Sequence, residues 1–227
     1  MIIKVCGMRD SGNIREVASL GADWIGLIFH PQSPRYVPMV STGAGIIPDR
    51  GTLSDDSGSS RPLRVGVFVD DMAQNIITHV VNFNLDLVQL HGHETPTLIR
   101  NLRKTLVPSI RPDLQVIKTI SISAPADFAR CAPYEDCTDY FLFDTRCPQM
   151  GGSGQQFDWS WLGSYTGSKP FLLSGGIGPD DAGAIRAIKH PLFAGIDLNS
   201  RFEIAPGLKD AALLRPFIQA VRAKQED

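Results

Sequence analysis

The sequence predicts an α/β architecture, a (β/α)₈ TIM barrel, on three observations. Short apolar, β-branched runs recur along the chain, segments of helical spacing lie between most of them, and glycine-rich turns cluster after the sixth and seventh runs. Alternating strand and helix implies parallel pairing. Runs that stay apolar instead of alternating are buried on both faces, which a parallel sheet wrapped by helices provides. An open doubly wound sheet would place its glycine-rich phosphate turn after the first strand, so the position of the glycines favours closure.

Eight strands are predicted: Ile2–Cys6, Trp24–Phe29, Val65–Val69, Leu85–Leu90, Gln115–Lys118, Tyr140–Phe143, Phe171–Leu173 and Ala194–Leu198. After the first, Ile14, Val17 and Ala18 share a helical face and Gly21 stops the helix. After the second, residues 41–61 carry Gly43, Gly45, Pro48, Gly51, Gly58 and a Ser-Asp-Asp-Ser-Gly-Ser-Ser run, the composition of a flexible loop that replaces the second helix. Thr95-Pro96 starts a helix through Leu98, Ile99, Leu102 and Leu106, and Pro179-Asp180-Asp181 opens another after the seventh strand. The last helix is expected to begin near Arg215–Pro216, because proline is tolerated in a first turn. Seven outer helices are therefore expected.

At 227 residues the chain falls within the roughly 200–250 over which α/β barrels run as one domain, so a single domain over 1–227 is expected. Hydrophobic content of 43% with 20% charged residues suffices for a core and excludes wholesale disorder. The 22 basic and 24 acidic residues show no basic stripe, which argues against nucleic-acid binding. The start Met1-Ile2-Ile3-Lys4-Val5 has no charged leader and no 18-residue apolar stretch follows, so no membrane span and a cytoplasmic location are expected. Cys6, Cys131, Cys137 and Cys147 form no C-x-x-C pair and are expected as free thiols.

In a parallel barrel, side chains that share a substrate come from the C-terminal strand ends. These are Cys6-Gly7, His30 to Arg35, Asp70, Gln89 with His91 and Gly92, Lys118, Asp144, Ser174-Gly175-Gly176 and Asp197-Leu198-Asn199-Ser200. Gly175 and Gly176 let backbone N–H groups approach an anion, and with Asp197 to Ser200 they outline the barrel's common phosphate site, although such glycines can also merely turn a chain. Gly151, Gly152 and Gly154 lie in a long loop beside Asp144 that suits a lid. Cys6 facing Asp144 makes a thiolate base and a carboxylic acid, a pair suited to proton transfer next to a carbonyl or imine; inert packing is the alternative for a lone strand cysteine. A free thiol titrates near about 8.5, so something must lower it, and amide dipoles are the candidate; Asp144 needs an upward shift by desolvation. Arg35 can clamp a carboxylate or be a solvated surface arginine. His91 and His93, two residues apart with no third ligand in view, do not point to metal.

These landmarks, in this order, resemble the phosphoribosylanthranilate isomerase family. The pieces are Lys4-Val5-Cys6-Gly7, Gly21-Ala22-Asp23-Trp24-Ile25-Gly26, Ser33-Pro34-Arg35-Tyr36-Val37, Val88-Gln89-Leu90-His91-Gly92, Leu142-Phe143-Asp144, Gly151-Gly152-Ser153-Gly154, Ser174-Gly175-Gly176-Ile177 and Gly195-Ile196-Asp197-Leu198-Asn199-Ser200, then Glu203 and Pro206-Gly207-Leu208-Lys209-Asp210. The resemblance implies an Amadori rearrangement of N-(5-phosphoribosyl)anthranilate in tryptophan biosynthesis, without a cofactor. It implies Asp144 as general acid toward the ring oxygen and Cys6 as general base toward the sugar's second carbon. Arg35 would bind the anthranilate carboxylate, Gln89 and His91 would line the pocket, and Gly175, Gly176, Asp197 and Asn199 would hold the phosphate mostly through backbone N–H groups. The implied partner is a small phosphorylated substrate, with the chain a monomer or homodimer. The related histidine-pathway isomerase would carry aspartate where Cys6 stands. An indole-glycerol-phosphate synthase would need a catalytic lysine, for which Lys4 lies too early and Lys118 alone is insufficient. A non-catalytic phosphometabolite-binding barrel would have lost the acid-base pair.

Overall fold

The computed structural model describes residues 1–38, 61–145 and 156–223. Eight parallel strands pair in chain order and close into a barrel: β1 Ile2–Val5, β2 Trp24–Ile28, β3 Leu63–Phe68, β4 Leu87–Leu90, β5 Gln115–Ile122, β6 Tyr140–Thr145, β7 Phe171–Leu173 and β8 Phe193–Leu198. β8 returns to β1 in the register Lys4↔Asp197 and Val5↔Leu198. Past β8 the chain adds a two-stranded antiparallel ribbon, β9 Glu203–Ala205 and β10 Leu208–Lys209. The predicted loop in place of the second helix falls, but for Arg61, on 39–60, outside the described residues.

Strand side chains alternate between two sides, and here both sides are apolar for different reasons. One parity, with Ile3, Val5, Phe141, Phe143, Ile196 and Leu198, packs under the outer helices. The other fills the barrel: Trp24, Val65, Leu87, Ile117, Leu142 and Leu172 form a separate buried cluster. Along β1 the inward parity continues from Ile2 through Lys4 to Cys6; along β4 it runs Leu87, Gln89, His91, and along β6 Leu142, Asp144. Apolar residues plug the lower barrel, so polar residues of the same parity meet at its upper end.

The outer layer has α1 Ser11–Ser19, α2 Ala73–Asn82, α3 Pro96–Leu106, α4 Ala182–Ala187 and α5 Ala211–Arg222. Asp10 and Thr95 accept the N–H groups of Asn13 at 2.8 Å and Leu98 at 3.2 Å, satisfying orphan donors at the starts of α1 and α3. Two expectations are corrected. The segments β5–β6 and β6–β7 carry 3₁₀ helices, Pro125–Tyr134 and Trp159–Ser164, rather than α-helices. The last helix starts at Ala211, not near Arg215, because Asp210 caps it by accepting from Ala212 and Leu213 at 2.9 and 3.3 Å. Pro216 sits inside α5 on its exposed side, where the carbonyl it leaves unpaired can turn to water.

Candidate active site

Cys6 lies just past β1, with its N–H donating to the Leu198 carbonyl at 2.8 Å and its side chain buried. On β2 opposite, a Cβ at Gly26 would come within 2.8 Å of Sγ, so only glycine leaves room for the sulfur. Two residues below Cys6, the fully buried Lys4 gives its Nζ to Asp197 Oδ1 at 2.8 Å. Asp197 is thus turned into the barrel rather than out toward a phosphate. Burial pushes the Cys6 thiol up, against the pull of the Lys4 ammonium, with Asp197 adding to the push and Lys209 to the pull. Two buried ammonium groups, not the expected amide dipoles, are the lowering influence, and burial outweighs them, so the thiol sits above its ordinary range rather than below it. Burial also pushes Asp197 up, opposed by Lys4 and reinforced by the negative charge of Asp144.

Asp144 ends the inward row of β6, its side chain 24% exposed. Its Oδ1 accepts the Thr145 N–H at 2.9 Å and its Oδ2 lies 3.4 Å from His91 Nε2. Gln89, buried on β4, donates Nε2 to His91 Nδ1 at 3.1 Å and to Thr119 Oγ1 at 3.2 Å. In that arrangement Nδ1 is the acceptor, so neutral His91 carries its proton on Nε2, facing Asp144. Gln89 Oε1 is buried with no hydrogen-bond partner among the described residues, an acceptor left over in the pocket wall.

Arg35 does not project freely. Its Nε donates to both carboxylate oxygens of Glu203 at 2.9 and 3.0 Å, and Nη2 to Oε2 at 2.6 Å. Lys209 Nζ joins Glu203 Oε1 at 2.5 Å and Asn199 Oδ1 at 2.8 Å. The arginine stem crosses Gly7, where a Cβ would approach Arg35 Cδ to 2.5 Å and Asn199 Oδ1 to 2.8 Å, and where φ is +72°. Any other residue at this position would be strained and would displace the guanidinium.

Gly175 and Gly176 follow β7 with φ of +88° and +68°. A Cβ on Gly175 would come 2.6 Å from the Thr145 nitrogen, so this turn sits directly against the end of β6. The turns after β7 and β8 approach each other where Arg201 Cδ comes 3.4 Å from the Cβ position of Gly178. Asn199 leads the 3₁₀ turn Ser200–Phe202, but its side chain is engaged by Lys209. Gln156 ties the segment after β6 to this corner, donating to Gly176 O at 3.0 Å and Asp181 Oδ2 at 2.6 Å. Gly151, Gly152, Gly154 and Cys147 lie outside the described residues.

The structure thus gathers Cys6, Asp144, Gln89, His91 and Arg35 at one rim, and shows three groups whose parts the sequence reading did not assign: Lys4, Glu203 and Lys209. Lys118 has the opposite, outward parity and is buried against Glu94 at 3.0 Å, which removes it as a catalytic lysine. His93 pairs with Asp70 at 3.0 Å, and among the described residues no group of three His, Cys, Asp or Glu could hold a metal.

A family profile described as N-(5'-phosphoribosyl)anthranilate (PRA) isomerase matches residues 3–220. The chain is similar to the N-(5'-phosphoribosyl)anthranilate isomerase of Parabacteroides distasonis, 48% identical over 97% of this chain and 93% of the relative. It is also similar to that of Phocaeicola vulgatus, 44% identical over 99% of each. Among solved structures, a phosphoribosyl anthranilate isomerase in complex with reduced 1-(o-carboxyphenylamino)-1-deoxyribulose 5-phosphate superposes with a TM-score of 0.74 at 25% identity, covering 97% of this chain and 98% of the other.

Proposed function

This chain belongs to the N-(5'-phosphoribosyl)anthranilate isomerase family, and on that premise we propose that Cys6 and Asp144 are the base and acid of its rearrangement. The enzyme isomerises N-(5'-phosphoribosyl)anthranilate, a step of tryptophan biosynthesis, and its substrate is a small phosphorylated molecule. The observation that carries the assignment is strand parity: Cys6 just past β1 and Asp144 on β6 continue the inward rows above the apolar plug of the barrel.

Asp144 gives its proton to the ring oxygen as the ring C–O bond breaks, and the anilino nitrogen's lone pair forms the imine. His91, donating from Nε2, steadies the carboxylate that Asp144 becomes. The Cys6 thiolate then takes the proton from the sugar's second carbon, leaving an enolamine. Protonation at the first carbon yields the ketose, so no atom or electron is gained or lost. Arg35 holds the anthranilate carboxylate at the same rim, because a guanidinium already fixed by Glu203 loses little freedom on binding. The phosphate takes the backbone N–H groups around Gly175, Gly176 and Asn199. Asp197 contributes its main chain there, since its carboxylate faces Lys4 and would repel a phosphate.

No described helix is long and apolar enough to cross a membrane. We place the reaction in the cytoplasm, where a phosphorylated sugar is retained, and read the active unit as a monomer or homodimer, since one chain supplies the whole rim. A steady-state assay with phosphoribosylanthranilate, following loss of its fluorescence, tests the reading, and no turnover by the pure protein overturns it. Cys6→Ala and Asp144→Asn are each expected to lower kcat by about 10²-fold or more, as loss of a positioned base or acid does. Near-normal kcat in either removes that residue from its role.

A further inference from the structure

We propose that Lys4 is the positioning cation that stabilises the Cys6 thiolate as it forms, with Asp197 fixing its ammonium group from β8. The inference rests on Cys6 being the base. Lys4 and Cys6 share the inward parity of β1, one pleat apart, and Lys4 is completely buried with Nζ 2.8 Å from Asp197 Oδ1. Sinking an ammonium group into a barrel costs several kcal/mol, and a well-packed apolar residue of the same length is often equally stable. A lysine here therefore points to a task other than packing.

The charges around the sulfur name that task. Lys4 from β1, Asp197 from β8 and Lys209 from β10 act on it directly, and Lys209 is in turn surrounded by Glu203 from β9 and Arg35 from the loop after β2, while β2 presents Gly26 to the sulfur. Three cations face two anions, so the cluster carries one positive charge while the thiol is neutral, and ionising Cys6 balances it. Of the three cations, Arg35 and Lys209 are already paired to Glu203. Among the described residues Asp197 is the acidic partner of Lys4, and the Lys4 ammonium pulls the Cys6 thiol down. Farther out, the negative charge of Asp144 pushes Asp197 up and His91 opposes it.

The test is the ultraviolet thiolate band of the full-length protein, titrated from neutral to alkaline pH and read as the difference from the same protein carrying Cys6→Ser. In Lys4→Met the Cys6 midpoint is expected to rise by about one pH unit or more, the scale of a close opposite charge. Lys4→Met also strands Asp197, so Lys4→Met/Asp197→Asn serves as the neutral, nearly isosteric control that need not unfold. A smaller rise is expected there, since the Asp197 charge that pushes the thiol up is removed along with the ammonium, and Lys4→Arg, which keeps the charge, should restore the midpoint. The acidic limb of kcat/KM against pH should move upward with the band. An unmoved band in the double variant overturns the proposal. A band that rises while the pH–rate limb stays put supports the Lys4–Cys6 coupling and instead sinks Cys6 as the base, so the two failures are distinguishable.

Discussion

Arg35 is shared between the fold and the substrate, because Glu203 occupies its Nε and one terminal nitrogen and Lys209 braces Glu203 from behind. Burial pushes the Glu203 carboxyl up, but Arg35 and Lys209 outweigh it and hold the group below the usual carboxylate range. Charged hydrogen bonds are worth about 1.5–3 kcal/mol, or roughly 10- to 150-fold in affinity. Arg35→Met is therefore expected to raise KM by that factor with a smaller change in kcat, and Glu203→Gln to raise KM about tenfold by loosening the arginine without removing it. Steady-state KM and kcat measured separately check both, and a fall in kcat alone would mean that Arg35 does not bind the anthranilate carboxylate. Cys6, Asp144, Gln89 and His91 were legible in the sequence, since strand ends and alternation locate inward side chains without knowledge of neighbours. Glu203 was visible only as part of a family motif, because its contact with Arg35 spans 168 residues. Lys4 is too early on its strand to reach substrate, and its part is invisible in the sequence because its partner Asp197 lies 193 residues away.

The strands were the most legible elements. Each core run is apolar on both parities, and seven of the eight predicted runs lie within two residues of the observed bounds, β5 alone running on to Ile122 because Thr119 and Ser121 hide an otherwise apolar continuation. Helices proved less legible where proline intervened. Pro125 and Pro133 bracket a segment wound as 3₁₀, anchored by Phe128, whose ring meets Phe143 edge-on at 4.9 Å. Pro216 misled differently: a first-turn proline was expected, but Asp210 supplies a cap earlier and Leu214, Phe217, Ile218 and Val221 bury the whole helix face, so packing carries the chain through the missing hydrogen bond. Pro216→Ala restores that bond at an exposed site and is expected to stabilise the protein by up to about 3 kcal/mol. Asp210→Ala should cost about 1 kcal/mol. Thermal melts check both, at roughly 2–4 °C per kcal/mol for a chain of this size, and a lowered Tm for Pro216→Ala would show that the bend itself is needed for packing.

Across the whole molecule, the end of the barrel opposite the site is stapled by a repeated device. An aspartate just before an even-numbered strand accepts the backbone N–H of the preceding odd strand and an arginine from outside the sheet. Asp23 takes Ile3 N and Arg222, each at 2.7 Å; Asp139 takes Val116 N at 2.7 Å and Arg103 at 2.5 Å. Asp86 takes Arg64 N at 2.8 Å together with Arg61 at 2.7 Å and Arg111. The pair β7–β8 has no such acid and uses backbone instead, Phe171 N donating to Leu192 O at 2.9 Å. Burial pushes the Asp86 carboxyl up, yet Arg61, the Arg64 N–H and Arg111 more than offset it, so its folded pKa lies below the ordinary value. A depressed folded pKa adds stability that is fully present above the unfolded value of about 3.9 and is lost as pH falls through the folded one. The wild-type Tm should therefore drop on acidification below about pH 4 through this group, while at neutral pH the staple is intact. Asp86→Asn keeps the shape but cannot titrate: it should lower Tm at neutral pH, where two arginines lose their counter-charge, and narrow its gap to the wild type as both are acidified. A gap that stays constant from neutral to acid pH would show that Asp86 contributes through its hydrogen bonds alone and that its charge does not hold this end of the barrel together.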